Sequence, residues 1–331
     1  MSRKNNKHVK YIILGSMVVI IIIAIIIQIR KTSVITQINQ LHNGDAKLYN
    51  DYIITSVDGH FTVYNLQGKK VKEYPEIMTN WMSCLEDEGI VVYGNGNCQI
   101  GILQLDKDLN VQHNEVIMQT ENLQIDPTII KVNNIYYITV TEIIGTVNNA
   151  DANAENGRYI LHLMSSKDLS KWTMVSDVVD AYNNIEDVDI DYENDKFYIS
   201  YEKETVDKGD SSIELAISDD SKGNKFSKTI ELLKADCDHE PAAFERIDGN
   251  TYRLYYSCDK NYRGESYQGG QVFYADYDSN WNQLSVDNLV KTETEKGILL
   301  YDVKEENGSL RLLYARNYLT DCDMIVEKIK K

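Results

Sequence analysis

Proline is nearly missing from this chain, with three in 331 residues. Two of them, Pro127 and Pro241, follow a carboxylate, in "IDPTIIKVNNIYYITVTE" and "DHEPAAFERIDGNTYRLYYS", so the repeated acid-proline pair stands out from its background. Cysteine is scarce as well. Cys84, Cys98, Cys237, Cys258 and Cys322 are too few for a disulfide scaffold and form no CxxC zinc pattern. No metal site is read from them. In an oxidising location Cys84–Cys98 and Cys237–Cys258 are both open as pairs, and the odd count leaves one thiol over. Basic residues are outnumbered, 34 against 51 acidic ones, for a formal charge of −17. A surface of that sign repels polyanions and excludes nucleic acid as a partner. Phenylalanine is rare beside tyrosine, 5 against 23. Tyrosine suits half-buried strands, and its ring with a polar tip also suits sugar faces.

One long apolar run is present, Tyr11 to Ile29. It is uncharged and long enough to span a bilayer, so it predicts a transmembrane helix after a basic tail of residues 1–10. It has no small-x-small cleavage site, and no cysteine follows closely to take a lipid. Arg3, Lys4, Lys7 and Lys10 precede it and Arg30 and Lys31 follow it. The positive-inside bias therefore predicts a single-pass cell-membrane protein with a cytoplasmic N-terminus. Residues 30–45 are then a spacer, and 46–331 form one extracytoplasmic domain.

That domain lacks long helical periodicity. It consists of runs of four to eight residues rich in Tyr, Val, Ile and Thr, separated by turns such as "VDGH", "KVNN", "ENDK" and "RIDGN". The class is all-β. The runs repeat as a unit, with third-strand endings "VYNLQGKK", "LQLDKDLN", "LMSSKDLSKW", "AISDDSKGNKF" and "YADYDSNWNQL". Units begin near residues 46, 82, 126, 187, 240 and 298. Four-strand repeats of this length predict a β-propeller. Its ring has either six blades, the last completed by "VITQINQ" near the N-terminus, or five with an extra N-terminal hairpin.

In a propeller the first strand of each blade lines the central channel, so residues at its start converge. A shift of 61 residues carries Asp126 onto Asp187, and Glu240 follows 53 later. Singly, each acid is explained by turn hydrogen bonding and each proline by the spare N–H of a first strand residue. Together they place three carboxylates in one mouth, where at least one holds a raised pKa. Glycoside cleavage needs that arrangement: a protonated carboxyl for the leaving oxygen, and an ionised one that activates water or attacks the sugar. Glu240, with its longer side chain and neighbouring His239, is assigned as the acid. His239 and Trp81 are the expected sugar-binding residues. No cofactor is required, although repeated acids are also a donor set for Ca2+ in the central channel.

These residues resemble the five-bladed propeller glycosidases of glycoside hydrolase family 43, the arabinanase and β-xylosidase type, and their invertase and levansucrase relatives. "IDPTIIKVNNIYYITVT" with "SSKDLSKW" is similar to their first strand pair and Ser-x-Asp-Leu-x-x-Trp turn, and "EPAAFERIDGNTYRLYYS" to their general-acid blade. The resemblance spans about residues 120–290. It implies Glu240 as general acid, Asp187 as the pKa modulator and an earlier Asp as base. In the family the base lies two blades before the modulator. Asp126 lies one before, and the blade at the expected place offers Asp87. Glu240-Pro241 also lacks the family's intervening residue, and Val188 stands where a proline is usual. The expected activity is cleavage of arabinan, xylan or fructan type glycans of plants or the cell envelope. The alternative is an inactive propeller that binds a glycan or an envelope protein.

Overall fold

Hairpins with two-residue connections organise the chain locally. Asp58-Gly59, Asn133-Asn134 and Asn194-Asp195 all take positive φ at both positions, between 49° and 78°. This is the turn whose twist matches antiparallel strands, and Asn, Asp and Gly tolerate it best. The computed structural model describes residues 32–41, 43–146, 157–205, 209–260, 270–292, 297–306, 308–318 and 322–330. Within them are 24 strands and one turn of 3-10 helix, Glu86–Glu88.

The strands form six four-stranded antiparallel sheets. Blade 1 holds β2 (Asn43–Tyr49), β3 (Tyr52–Val57), β4 (His60–Asn65) and β5 (Lys70–Met78). Blade 2 holds β6 (Trp81–Leu85), β7 (Ile90–Gly94), β8 (Gln99–Leu105) and β9 (Val111–Gln119). Blade 3 holds β10 (Leu123–Val132), β11 (Ile135–Ile144), β12 (Arg158–Ser166) and β13 (Thr173–Ala181). Blade 4 holds β14 (Asn184–Glu193), β15 (Lys196–Glu204), β16 (Ser211–Ser218) and β17 (Phe226–Cys237). Blade 5 holds β18 (His239–Asp248), β19 (Thr251–Cys258), β20 (Gln271–Asp278) and β21 (Gln283–Thr292). Blade 6 holds β22 (Ile298–Glu306), β23 (Ser309–Arg316) and β24 (Asp323–Lys330), with β1 (Thr32–Ile38) as its outermost strand.

The structure is thus a six-bladed β-propeller, and the five-bladed alternative is not realised. The first unit, β2–β5, forms a complete four-stranded blade and not an extra hairpin, and β1 completes the sixth by pairing with β24, from Thr32↔Ile329 to Ile38↔Met324. Leu41 N donates to Cys322 O at 2.7 Å just beyond it. Most of the stretch read as a spacer, 30–45, is therefore part of the ring. No helix among the described residues is long and apolar enough to cross a membrane. The predicted span Tyr11 to Ile29 and the tail 1–10 lie outside the described residues.

The recurring acidic turns have one cause. Asn65, Asp106, Asp168, Asp220 and Asp278 each accept, on one side-chain oxygen, two backbone N–H groups within the next four residues. The side chain closes the turn that the backbone alone leaves unpaired. The tryptophans of two of these turns pack inside the fold: Trp172 Nε1 donates to Leu169 O, and Trp281 stacks on Phe244.

Apolar residues form six clusters, one at each interface between neighbouring blades. The sixth, which joins Leu48 and Ile53 of blade 1 to Leu313 and Met324 of blade 6, closes the ring. Polar bonds run along the same interfaces near the axis. Met82 N donates to Asp45 (2.7 Å), Asp187 N to Asp126 (3.0 Å), Phe244 N to Asp189 (2.9 Å), Leu300 N to Ser257 Oγ (3.1 Å) and Leu48 N to Asp302 (2.8 Å). An innermost strand is a sheet edge, and its outward N–H groups need partners from outside their own sheet.

Asp302→Ala leaves the amides of Leu48 and Val303 without their acceptor, and is expected to cost roughly 1–3 kcal/mol in urea unfolding. Asp302→Asn, which keeps an acceptor oxygen, loses less. Equal losses from the two variants would show that the bond between the first and last blades contributes nothing.

Candidate active site

The first strands of all six blades converge on a cavity of about 580 Å³ at one mouth of the channel. Asp45 comes from β2, Trp81 from β6, Asp126 from β10, Asp187 from β14, Glu240 from β18 and Asp302 from β22. Asp126 and Asp187 sit in equivalent β-bulges, where the register with the second strand skips between Ile125 and Thr128 and between Glu186 and Asp189. Both have left-handed backbones, with φ of 47° and 48°. A bulge re-aims a side chain that regular pleating would place elsewhere. For a residue with a Cβ this conformation costs about 1–3 kcal/mol, a strain that clusters at functional sites. Pro127 is the next bulge residue, where no ladder hydrogen bond is lost. Glu240 reaches the mouth from a regular position opposite Ser257.

The carboxylates divide by what they already hold. Asp45 accepts Ala46 N and Met82 N, Asp189 accepts Ile190 N and Phe244 N, and Asp302 accepts Val303 N and Leu48 N. In each, one oxygen takes the following residue's amide and the other takes an amide of the next blade, so both oxygens are committed. Burial still pushes Asp189 and Asp302 up to about 6 each. It also raises Asp45, against the pull of Lys47, whose ammonium lies 3.9 Å away.

A second group is crowded instead. Carboxylate oxygens of Asp187, Glu202 and Glu240 all lie within 4.8 Å of one another, and those of Glu202, Glu204 and Asp238 do the same. Glu202 belongs to both triads. It is 3% exposed, and its Oε1 has no hydrogen-bond partner. Burial, and then the charge of Glu204, holds Glu202 well above the ordinary carboxylate range. Burial, and then Glu202 and Asp187, does the same for Glu240. Asp126 is raised by burial and by Asp187, while one of its oxygens accepts the Asp187 amide. Such neighbours cannot all ionise, so protons are retained among them. The two triads are also the oxygen donors that a hard cation would use.

Asp126, Asp187, Glu240 and Trp81 are thus brought together as the sequence predicts. Two expected members are elsewhere. Asp87 is exposed in the 3-10 turn after β6, at the far end of that strand from the mouth. The His239 ring turns away from the cavity, because adjacent strand residues face opposite sides. It is buried against Cys237, and its Nδ1 lies 2.7 Å from Ser211 O. Sequence reasoning missed Asp45, the last residue of the presumed spacer, Lys47 two residues further along β2, and Glu202 on a second strand. Tyr318, which also lines the cavity, is raised by burial and by Glu240, Asp45 and Asp187. The cross-strand pairing of Glu186 with Glu202 was the available signal, since it puts a second-strand acid beside the Asp187 bulge.

None of the curated proteins matches the chain in sequence. Among solved structures it is similar to a thermostable family-43 glycoside hydrolase (14% identity, covering 75% of this chain and 87% of that one, TM-score 0.50). It is similar also to an endo-arabinase from Bacteroides thetaiotaomicron (14%, 74% and 92%, 0.49) and a β-1,2-mannobiose phosphorylase from Listeria innocua (15%, 91% and 91%, 0.47). At 14% identity the likeness to the first of these is one of fold alone. The family model "Glycosyl hydrolases family 43" matches residues 115–314, a stretch that contains Asp126, Asp187, Glu202 and Glu240. Over more than half of its length, therefore, the chain belongs to glycosyl hydrolase family 43.

Proposed function

We propose that the protein is a membrane-anchored, extracytoplasmic glycoside hydrolase that cleaves arabinan, xylan or fructan type glycans of plants or the cell envelope. The observation that carries this reading is the buried Glu240 carboxyl, packed against Asp187 and Glu202 in the wall of the cavity. Burial, and then the charges of Glu202 and Asp187, hold a proton on it, as a general acid requires. Glu240 donates that proton to the leaving oxygen. Asp187 and Glu202 keep its pKa raised. Asp126 is the base or nucleophile, because its second oxygen is not taken by an amide as those of Asp45, Asp189 and Asp302 are. Trp81 supplies a flat apolar surface for a sugar ring. The run Tyr11 to Ile29, with more basic residues before it than after, supports the anchor and the outward placement of the propeller.

One observation favours a second reading. Burial raises Asp126 along with its neighbours, and a site whose base stays protonated binds a glycan without cleaving it. Glycan binding by the wild-type chain with no turnover at any pH would establish that reading.

Glu240→Gln is expected to lower kcat on unactivated arabinosides, xylosides or fructosides by about 10²–10⁴-fold. Aryl glycosides with good leaving groups are hurt less, because they need little protonation. Asp126→Asn is expected to lose both classes alike. Steady-state kinetics on the two substrate classes checks this, and equal activity of Glu240→Gln and wild type would refute the assignment.

A stability measurement tests the crowding itself. Glu202 binds its proton more tightly when folded, so its stabilising contribution is complete below about 4.5, the ordinary value, and is lost as pH rises through the raised one. Glu202→Gln removes that loss. By thermal unfolding the variant is expected to exceed wild type above neutrality, with a gap that closes on acidification. A gap independent of pH would show that Glu202 carries no shifted proton.

A further inference from the structure

Behind the cavity wall, at the seam of blades 4 and 5, a different set of side chains converges. Cys237 ends β17, His239 opens β18 and Cys258 ends β19, and all three are buried. Both sulfurs and a nitrogen of the His239 ring lie within 4.8 Å of one another, with Cys237 Sγ 3.3 Å from His239 Nε2. Asp236 Oδ1 lies 3.6 Å from Cys237 Sγ and 3.6 Å from His239 Nε2. These spacings suit ligands around one tetrahedral ion, whose bonds run about 2.0–2.3 Å.

The imidazole is oriented for such a role. Nδ1 lies 2.7 Å from Ser211 O, and a carbonyl only accepts, so Nδ1 carries the hydrogen. In the neutral ring the lone pair is then on Nε2, the nitrogen beside the Cys237 sulfur. Histidines that bind metals are held by this kind of second hydrogen bond. The frame is rigid as well: His239 N donates to Ser211 Oγ at 2.8 Å, Ser211 is paired with Cys237, and His239 with Cys258. A disulfide between Cys237 and Cys258 would need neither the ring nor the carboxylate.

We propose that Cys237, Cys258 and His239, with Asp236 at the fourth position, form a binding site for a borderline divalent cation of the zinc class. Binding releases the two thiol protons and places thiolate, imidazole and carboxylate donors on one ion. The ion joins blade 4 to blade 5 next to Glu240, on the opposite face of the strand. This site stands whether or not the cavity cleaves glycans.

The test uses the full chain, purified with its thiols reduced and titrated with Co2+ and then Zn2+. One Co2+ per chain is expected, with the near-ultraviolet absorption of a cobalt–thiolate bond, and Zn2+ abolishes that band. Cys258→Ser is expected to lose the band while Cys84→Ser keeps it. Asp236→Asn, which removes the fourth donor's charge, weakens Zn2+ binding by at least the roughly 10–100-fold that loss of an outer-shell partner causes. A folded, reduced wild-type chain without the band overturns the proposal, whatever the variants do. Mass spectrometry that finds Cys237 and Cys258 joined to each other in the chain as isolated overturns it too.

Discussion

Everything in this molecule depends on closing the ring. A four-stranded blade has two apolar faces and no second layer of its own, so only its neighbours can cover it. Six clusters at six interfaces meet that need, and the last joins blade 1 to blade 6, where the N-terminal strand pairs with β24 to complete the sixth sheet. Closure then creates a second requirement. The innermost strands meet around the axis as sheet edges, and their inward amides must find acceptors. Asp45, Asp189 and Asp302 are those acceptors. Much of the channel's acidity is therefore a consequence of folding before it is a matter of chemistry.

Separating the saturated carboxylates from the crowded ones gives the site its chemical content. An aspartate with an amide on each oxygen is held in place by the backbone and is less free to turn toward a substrate. Asp187, Glu202 and Glu240 crowd one another instead, and Asp126 and Asp187 sit on left-handed backbones. Like-charge burial lowers stability, and it is concentrated here. The rest of the ring, with fully buried residues such as Ile53, Phe197 and Leu312, offsets that cost.

The all-β class, the unit starts and the strand that completes the sixth blade were legible because each rests on local chemistry. Tyr, Val and Ile alternate with φ-positive turn residues, and an Asp or Asn recurs wherever a turn needs a side-chain acceptor. Asp126, Asp187 and Glu240 were legible for the same reason, since each opens a first strand. What could not be read depends on contacts between strands. Glu202 is an ordinary second-strand acid until pairing sets it beside Glu186. Asp87 lies at the wrong end of its strand, which spacing alone does not show. Cys237, His239 and Cys258 come from three strands of two blades, so no short motif announces them.

The stretch from Cys237 to Glu240 joins these themes. Cys237 and His239 turn to one side, toward Cys258, while Asp238 and Glu240 turn to the other and join the two acidic triads. The period-2 alternation of an extended chain thus separates a sulfur–imidazole face from a carboxylate face within four residues. Pro241 follows directly, and its fixed φ restricts the backbone that both faces share. A group that anchors the first face therefore sets the position of the Glu240 carboxyl to within the stiffness of one strand. The acid-proline pair marks the point where the ring's structural chemistry and the cavity's reactive chemistry share a backbone.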